Sequence, residues 1–340
     1  MRACELRVAI EKLPFAAPFR IAGFVFESLE VIVAEFSDGT HRGRGEAAGV
    51  YYLGDTAPRM AEAIEAVRPA LEAGIDRAAL QALLPAGGAR NAVDCALWEL
   101  EAARARIPVW QLAGLPPPRP LLTTFTLSAE PPPAMAAGAS RHADARALKL
   151  KLTGDLALDI ERVRAVRAAR PDAWIGVDAN QAYEIGSLGS LIDALTRDGV
   201  ELLEQPLKRG READLDGFAS PIALAADESA LTLDEVAGLV GRFDVVNIKL
   251  DKCGGLTEGL AMAREARRRG LKVMVGNMVG TSLAMAPAFI VGQLCDIVDL
   301  DGPIFLAHDR VPSIRYRNGT VWSGSEVWGG AQAQEPGVSR

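Results

Sequence analysis

Three carboxylates recur through the middle of the chain, each closing a short apolar run: Asp178 ends WIGVD, Glu204 ends ELLE and Asp227 ends IALAAD. The intervals are 26 residues (178 to 204) and 23 (204 to 227), and Lys249 closes VVNIK a further 22 on (227 to 249). Upstream, Lys149 and Lys151 lie two positions apart in ALKLKL, which on a strand puts both on one face. Three like charges converging in a partly dry site repel strongly, and a divalent cation resolves the repulsion. All-oxygen ligation with room for water suits Mg²⁺ better than zinc, since none of His41, His142 and His308 ends an apolar run. Salt bridges to arginines are the competing reading. Two adjacent ammonium groups oppose each other's charging, which lowers a lysine pKa toward the range where a neutral amine acts as base.

These residues need a frame that brings their ends together. Eight apolar runs, at 121–127, 147–152, 174–178, 201–204, 222–227, 245–249, 272–276 and 297–301, alternate with amphipathic stretches such as Leu156, Ile160, Val163 and Val166. Repeated βα units predict parallel strands with a helix after each, and eight of them predict a closed barrel with its chemistry at the C-terminal strand ends. Strand six then stands opposite strand two, so Lys249 faces Lys149 and Lys151 across the mouth. Such a pair is suited to taking a proton from one face of a carbon and returning one to the other, with Mg²⁺ stabilising the enediolate beside a carboxylate. That chemistry is racemisation or epimerisation. At the last strand end, Asp299-Leu300-Asp301 puts two carboxylates on one face, a pair that calls for a cation such as a free α-ammonium. A helix cap or a rim salt bridge would use the same pair differently.

The first hundred residues have another texture. Leu29–Phe36, a turn at Asp38-Gly39 and a strand near His41–Gly45 read as antiparallel, and helical spacing follows from Ala57 to Ala73 and from Arg90 to Arg106. GLPPPRP from Gly114 reads as a linker. The expected organisation is an α+β domain over 1–115, rejoined by 311–340, and a catalytic barrel over 116–310. No GxGxxG stands between a strand and a helix, which argues against a dinucleotide site.

Composition narrows the partners. The 340 residues are 49% apolar and 24% charged with a net charge of −7, which offers no footprint for nucleic acid or an anionic membrane. The uncharged stretch Val273–Cys295 contains Gly276, Asn277, Gly280, Pro287 and Gln293 and reads as buried strand and helix. Cys4, Cys95, Cys253 and Cys295 form no CxxC pair, and the N-terminus has no signal-peptide pattern, so a cytoplasmic protein is expected.

The ordered motifs KLK (149–151), VDANQAY (177–183), EQP (204–206), ADES (226–229) and NIKLDKCGG (247–255), with the helix AVDCALWEL (92–100), resemble the enolase superfamily, and within it the muconate lactonizing enzyme subgroup. The resemblance implies a modified, enolase-like (β/α)8 barrel with an α+β capping domain. It implies Lys151 and Lys249 as the acid/base pair, Lys149 as the tuner of Lys151, and Asp178, Glu204 and Asp227 as Mg²⁺ ligands. Strand seven ends in Gly276-Asn277 where the mandelate racemase subgroup has a histidine. The DxD pair resembles that of dipeptide epimerases, so the implied substrate is a dipeptide whose C-terminal residue is inverted, and a homo-oligomer is expected. Alternatives are an N-acyl amino acid racemase, a muconate cycloisomerase or o-succinylbenzoate synthase type of enzyme, and, remotely, a barrel without catalysis. Loops at 15–26 and 49–56 are expected over the mouth, with Arg20, Phe24, Tyr51, Tyr52, Thr126 and Asn180 as substrate contacts beside Asp299 and Asp301. Relatives acting on Ala-Glu resemble PFRIAGF (18–24) but carry an arginine near the position of Phe24.

Overall fold

A computed structural model describes residues 3–21 and 24–330, the side chains at 19–21 and 24 excepted. The N-terminal unit is a three-stranded antiparallel sheet of β1 (Glu5–Ile21), β2 (Phe24–Ser37) and β3 (Arg42–Ala47), covered by α1 (Ala57–Glu72), α2 (Arg77–Leu83) and α3 (Gly88–Ala105). Asp38 closes the β2–β3 turn by accepting from the Thr40 and His41 amides at 3.0 and 2.8 Å. The sequence reading did not assign β1, although its alternation of Glu5, Arg7 and Glu11 with Leu6, Val8 and Ile10 carries the period-2 signal of a half-buried strand. The stretch expected as a loop at 15–26 is instead the far end of the β1–β2 hairpin. Its register shifts between Pro14 and Phe19. Pro14 and Pro18 lack the N–H that would keep the ladder regular, and Phe15 leaves it to bridge Leu306 of the barrel.

Helix α3 serves two cores because its apolar residues fall on two faces. Val93, Leu97 and Leu100 pack with Ile32, Phe36 and Ile64 under the small sheet, whereas Cys95, Trp98 and Ala102 join the barrel core. After α4 (Val109–Leu112), residues 116–120 carry neither helix nor strand. Next come β4 (Leu121–Leu122) and eight parallel strands: β5 (Thr124–Leu127), β6 (Ala147–Lys151), β7 (Trp174–Asp178), β8 (Leu202–Glu204), β9 (Ala223–Ala226), β10 (Val245–Ile248), β11 (Lys272–Val275) and β12 (Ile297–Val298). They lie side by side in chain order. The connecting helices are α5 (Pro132–Arg141), α6 (Leu156–Ala169), α7 (Ile185–Arg197), the single turn α8 (Leu250–Cys253), α9 (Leu256–Arg268) and α10 (Ser282–Gly292). The expectation of a helix after every strand fails between β8 and β9 and between β9 and β10. There the chain makes only 3₁₀ turns, at Glu212–Leu215 and Leu233–Leu239. No described helix is long and apolar enough to cross a membrane.

Between β12 and β5 side chains close the seam. Thr124 Oγ1 donates to Asp299 Oδ1 at 2.6 Å, the Thr126 amide to Asp301 Oδ2 at 2.6 Å, and the Leu300 amide to Thr123 Oγ1 at 3.0 Å. The chain beyond 311 divides: β13 (Arg315–Arg317) and β14 (Thr320–Trp322) pair with β4, while Gly329 and Trp328 bond to Val109, Glu99 and Arg44 of the first unit.

The two units meet at the segment that follows β10. The Arg90 guanidinium donates to the carbonyls of Cys253 (2.7 Å) and Gly254 (3.3 Å), and Asp94 accepts from the Thr257 amide and hydroxyl at 2.8 and 2.6 Å. The approach is so close that a Cβ on Gly255 would stand 2.5 Å from Asp94 Oδ2, and its φ of +120° independently favours glycine. Burial raises the Asp94 pKa from 3.8 to about 6 against the opposing pull of Thr257, Arg77 and Arg90. Because the folded state holds the proton more tightly than the unfolded chain, this group's stabilisation is complete below pH 3.8 and lost as pH rises through 6. Urea unfolding should therefore show the stability of the wild type relative to Asp94→Asn falling by roughly 3 kcal/mol between pH 3.5 and 7; a pH-independent difference would contradict it.

Candidate active site

The C-terminal strand ends deliver a concentration of buried charge. Asp178, Glu204 and Asp227, on three neighbouring strands, place carboxylate oxygens within 4.8 Å of one another, and all three are buried. Lys149 Nζ lies 2.8 Å from Glu204 Oε2, 2.9 Å from Asp299 Oδ2 and 3.4 Å from Asp178 Oδ2. Lys151 Nζ donates to Asp178 Oδ2 and Lys249 Nζ to Asp227 Oδ2, each at 2.6 Å. Since β6 and β10 are four places apart in the eight-strand order, the two ammonium groups reach the triad from opposite sides.

The pKa directions follow from this packing. Burial disfavours charge on Asp178, but the Lys151 and Lys149 ammonium groups outweigh it and bring the pKa down to about 2. Asp227, between Lys249 and Lys252, is likewise held well below the usual range against burial. Burial, reinforced by the charge of Asp178, pushes Glu204 up to about 7. At Lys149, desolvation is outweighed by Asp299, Glu204, Asp178 and Asp227, which hold its pKa well above the ordinary value. Lys249 is raised for the same reason, chiefly by Asp227 against burial.

Some of the site was not read from the sequence. Lys252, three positions beyond Lys249 and on the same side of α8, is fully buried and donates to Asp227 Oδ1 (2.6 Å) and the Asn247 carbonyl (2.9 Å). Its signal was a second lysine one helical turn after a strand-end lysine. Asn247 donates to Glu204 Oε1 at 2.9 Å. Glu228 lines the same cavity, pushed up to about 8 by burial and by the charges of Asp227 and Asp178.

Thr126, Asn180, Asp299, Asp301, Tyr51 and Tyr52 all line the cavity, as do Phe15, Phe26, Leu29, Met278 and Phe305. Asn180 adopts a φ of +42° while its amide donates to Asp178 Oδ1 at 2.9 Å. Tyr51 meets Phe26 and Tyr52 edge-on, with ring centroids 5.4 and 5.2 Å apart. The side chains of Arg20 and Phe24 lie outside the described residues. The space between cap and barrel, solvent included, is about 830 Å³, within the range that takes a small ligand.

The residues present fit a hard divalent cation. The donors are all carboxylate oxygens, and all three are buried. The mouth also gathers six carboxylates (Asp178, Glu204, Asp227, Glu228, Asp299, Asp301) against four lysines (149, 151, 249, 252), all of them buried. Fully ionised, the excess is two negative charges, the charge of one such ion.

A parallel barrel carrying that triad between opposed lysines, under an α+β cap, defines an enolase-type two-domain protein. The chain belongs to the enolase superfamily: residues 134–321 match the family described as Enolase C-terminal domain-like, and residues 3–114 match the Mandelate racemase / muconate lactonizing enzyme, N-terminal domain. It is 40% identical over 318 residues to L-Ala-D/L-Glu epimerase of Escherichia coli (strain K12), covering 93% of this chain and 98% of that protein. It is also 40% identical over 256 residues to N-acetyl-D-glutamate racemase of a Pseudoalteromonas species, covering 74% and 79%. Among solved structures it is similar to an enolase family member from Agrobacterium tumefaciens with homology to dipeptide epimerases, described with bound sodium and L-Ala-L-Glu (38% identity, TM-score 0.91, 95% of this chain and 99% of that one).

If the triad is a cation site, Mg²⁺ at about a hundred times its dissociation constant should stabilise the protein by roughly 2.7 kcal/mol, seen as a rise in Tm. EDTA should reverse the rise and Glu204→Gln should remove most of it. An Mg²⁺-independent Tm in the wild type would refute the site.

Proposed function

We propose that the protein is an Mg²⁺-dependent epimerase that inverts the α-carbon of the C-terminal residue of a dipeptide. The observation that carries this reading is the placement of Lys151 and Lys249 on opposite strands, each 2.6 Å from a carboxylate of one shared triad. Asp178, Glu204 and Asp227 would hold the ion. Bound there, Mg²⁺ supplies a Lewis acid that favours negative charge on the substrate carboxylate.

The chain's own residues do the rest. One lysine, as the neutral amine, takes the α-proton from its face; the other, as ammonium, returns a proton to the opposite face, so the configuration inverts with no net proton change. In the reverse reaction the roles exchange. Lys149 presents a fixed positive charge between Glu204 and Asp299, which limits the field of the surrounding carboxylates at the reacting carbon. The aromatic residues of the cap and Phe305 exclude water, which strengthens every charge interaction inside. Asp299 and Asp301 would receive the substrate's ammonium group, and burial with the charge of Asp299 raises Asp301 to about 7. Cys95, Cys253 and Cys295 are free thiols, which fits a reducing cytoplasm.

Replacing either Lys151 or Lys249 with alanine should slow epimerisation at least about 100-fold. One such variant should still exchange the α-proton of a single stereoisomer with D₂O, read by NMR; Lys249→Ala that epimerises at the wild-type rate would refute the two-base mechanism.

A second reading, N-acyl amino acid racemase, is favoured by one observation: both DxD carboxylates are already engaged, Asp299 by Lys149 and Thr124 and Asp301 by the Thr126 amide. The two readings separate on the amine. A charged contact to Asp299 and Asp301 is worth roughly 1.5–3 kcal/mol, so a free dipeptide should exceed its N-acetyl form in kcat/KM by at least about tenfold. Asp301→Asn should narrow that gap. Equal or better turnover of an N-acetyl amino acid would select the racemase.

A further inference from the structure

The turn α8 that follows Lys249 also carries Asp251, a buried carboxylate that the proposed chemistry does not use. Its Oδ1 reaches across the domain boundary and accepts from two successive amides of the cap, Ala48 and Gly49, each at 2.9 Å. Farther along the cap, the Asp55 carboxylate accepts from the Gly88 amide at 2.7 Å. Two consecutive amides of the cap are thus held by one carboxylate of the barrel. Gly49 makes the grip possible. Its φ is +72°, and a Cβ there would stand 2.2 Å from the Asp55 carbonyl oxygen.

Beyond this clamp the chain forms the 3₁₀ turn Tyr51–Leu53, whose tyrosines line the cavity beside Asp227, Glu228 and Lys249. On the barrel side only Leu250 separates Asp251 from Lys249, which caps the same turn. We propose that Asp251 is a positioning residue: it locks the Tyr51-Tyr52 lid in register with the Lys249 ammonium, so that one helical turn sets the height of the proton carrier and of the roof above the substrate. A second link supports this. Glu46, just upstream in β3, is buried and accepts from the Thr281 amide (2.7 Å) and hydroxyl (2.5 Å) at the start of α10 and from Arg310 (2.7 Å). The segment entering the lid is therefore pinned to the barrel on both sides of residue 47.

The kinetic consequence rests on the epimerase or racemase reading, but the structural one does not, and the experiment reads them separately. Hydrogen–deuterium exchange by mass spectrometry on the full chain should show peptides within 46–56 exchanging at least about tenfold faster in Asp251→Ala. Peptides from β7 to β11 should be unchanged, and Asp251→Asn, whose oxygen can still accept from both amides, should stay within about threefold of wild type. If the alanine variant does not fold, Asp251→Leu, which fills the space without an acceptor, is read in its place. Unchanged exchange at 46–56, or equal acceleration throughout the cap, overturns the proposal. With whichever of the dipeptide and the N-acetyl amino acid the wild type turns over, Asp251→Ala should raise KM about tenfold and leave kcat within about threefold. Adding Asp251→Ala to Tyr51→Ala/Tyr52→Ala should raise KM no further; additive increases, or a loss confined to kcat, overturn it. A wild type that turns over neither substrate refutes the function and leaves the exchange result to decide the role of Asp251.

Discussion

The structure is organised around a concentration of buried charge in a place that water hardly reaches. Six carboxylates and four lysines share the barrel mouth, and the low local dielectric makes every one of their interactions strong. Asp178 and Asp227 stay ionised beside their lysines, whereas burial and neighbouring carboxylates drive Glu228 and Asp301 upward, and Glu204 too in spite of Lys149 beside it. Such a site stores repulsion unless a cation enters, and it can do so only because the strands beneath are held by an apolar core that tolerates little displacement.

That core is shared. Helix α3 is buried on two faces, one against the small sheet and one against the barrel, so the cap docks on the barrel through the same residues that give the cap its own core. The contact falls on the segment 250–258, which continues directly from the strand of Lys249. Arg90, Asp94, Glu46 and Asp251 exchange bonds across the boundary, many with backbone groups, and glycine at 255 allows the approach. Lys249 and the cap segment at 48–49 are thereby tied to the same helical turn.

The barrel closes by unequal means around its circumference. Backbone ladders join the strands from β5 to β12, whereas the remaining edge is bridged by Thr123, Thr124, Thr126, Asp299 and the Asp301 carboxylate. The DxD pair therefore joins the fold to the site. Its carboxylates hold the seam and line the cavity, which ties the shape of the cavity at this edge to the closure of the barrel.

Much was legible in the residues themselves. Eight apolar runs, six of them with a charge at or next to the C-terminal end, announced the strands and which side chains would stand at the mouth, because strand alternation and the parallel order leave little freedom in where such residues point. The triad, the opposed lysines and the DxD pair follow from that register alone. The sequence did not determine the ionisation of those groups. Lys149 next to Lys151 suggested mutual repulsion, and the fold surrounds it with carboxylates from β7, β8 and β12 instead. Lys252 and Asp251 looked like charges on a helical turn, and only tertiary contact turned them inward, one to Asp227 and the other to the cap. The replacement of two crossover helices by 3₁₀ turns, and the hairpin that sends Phe15 to the barrel, were likewise decided by packing between segments distant in the chain. Local periodicity records which face of an element is apolar; which partner meets that face, and what field a charge then feels, depends on neighbours brought close only by folding.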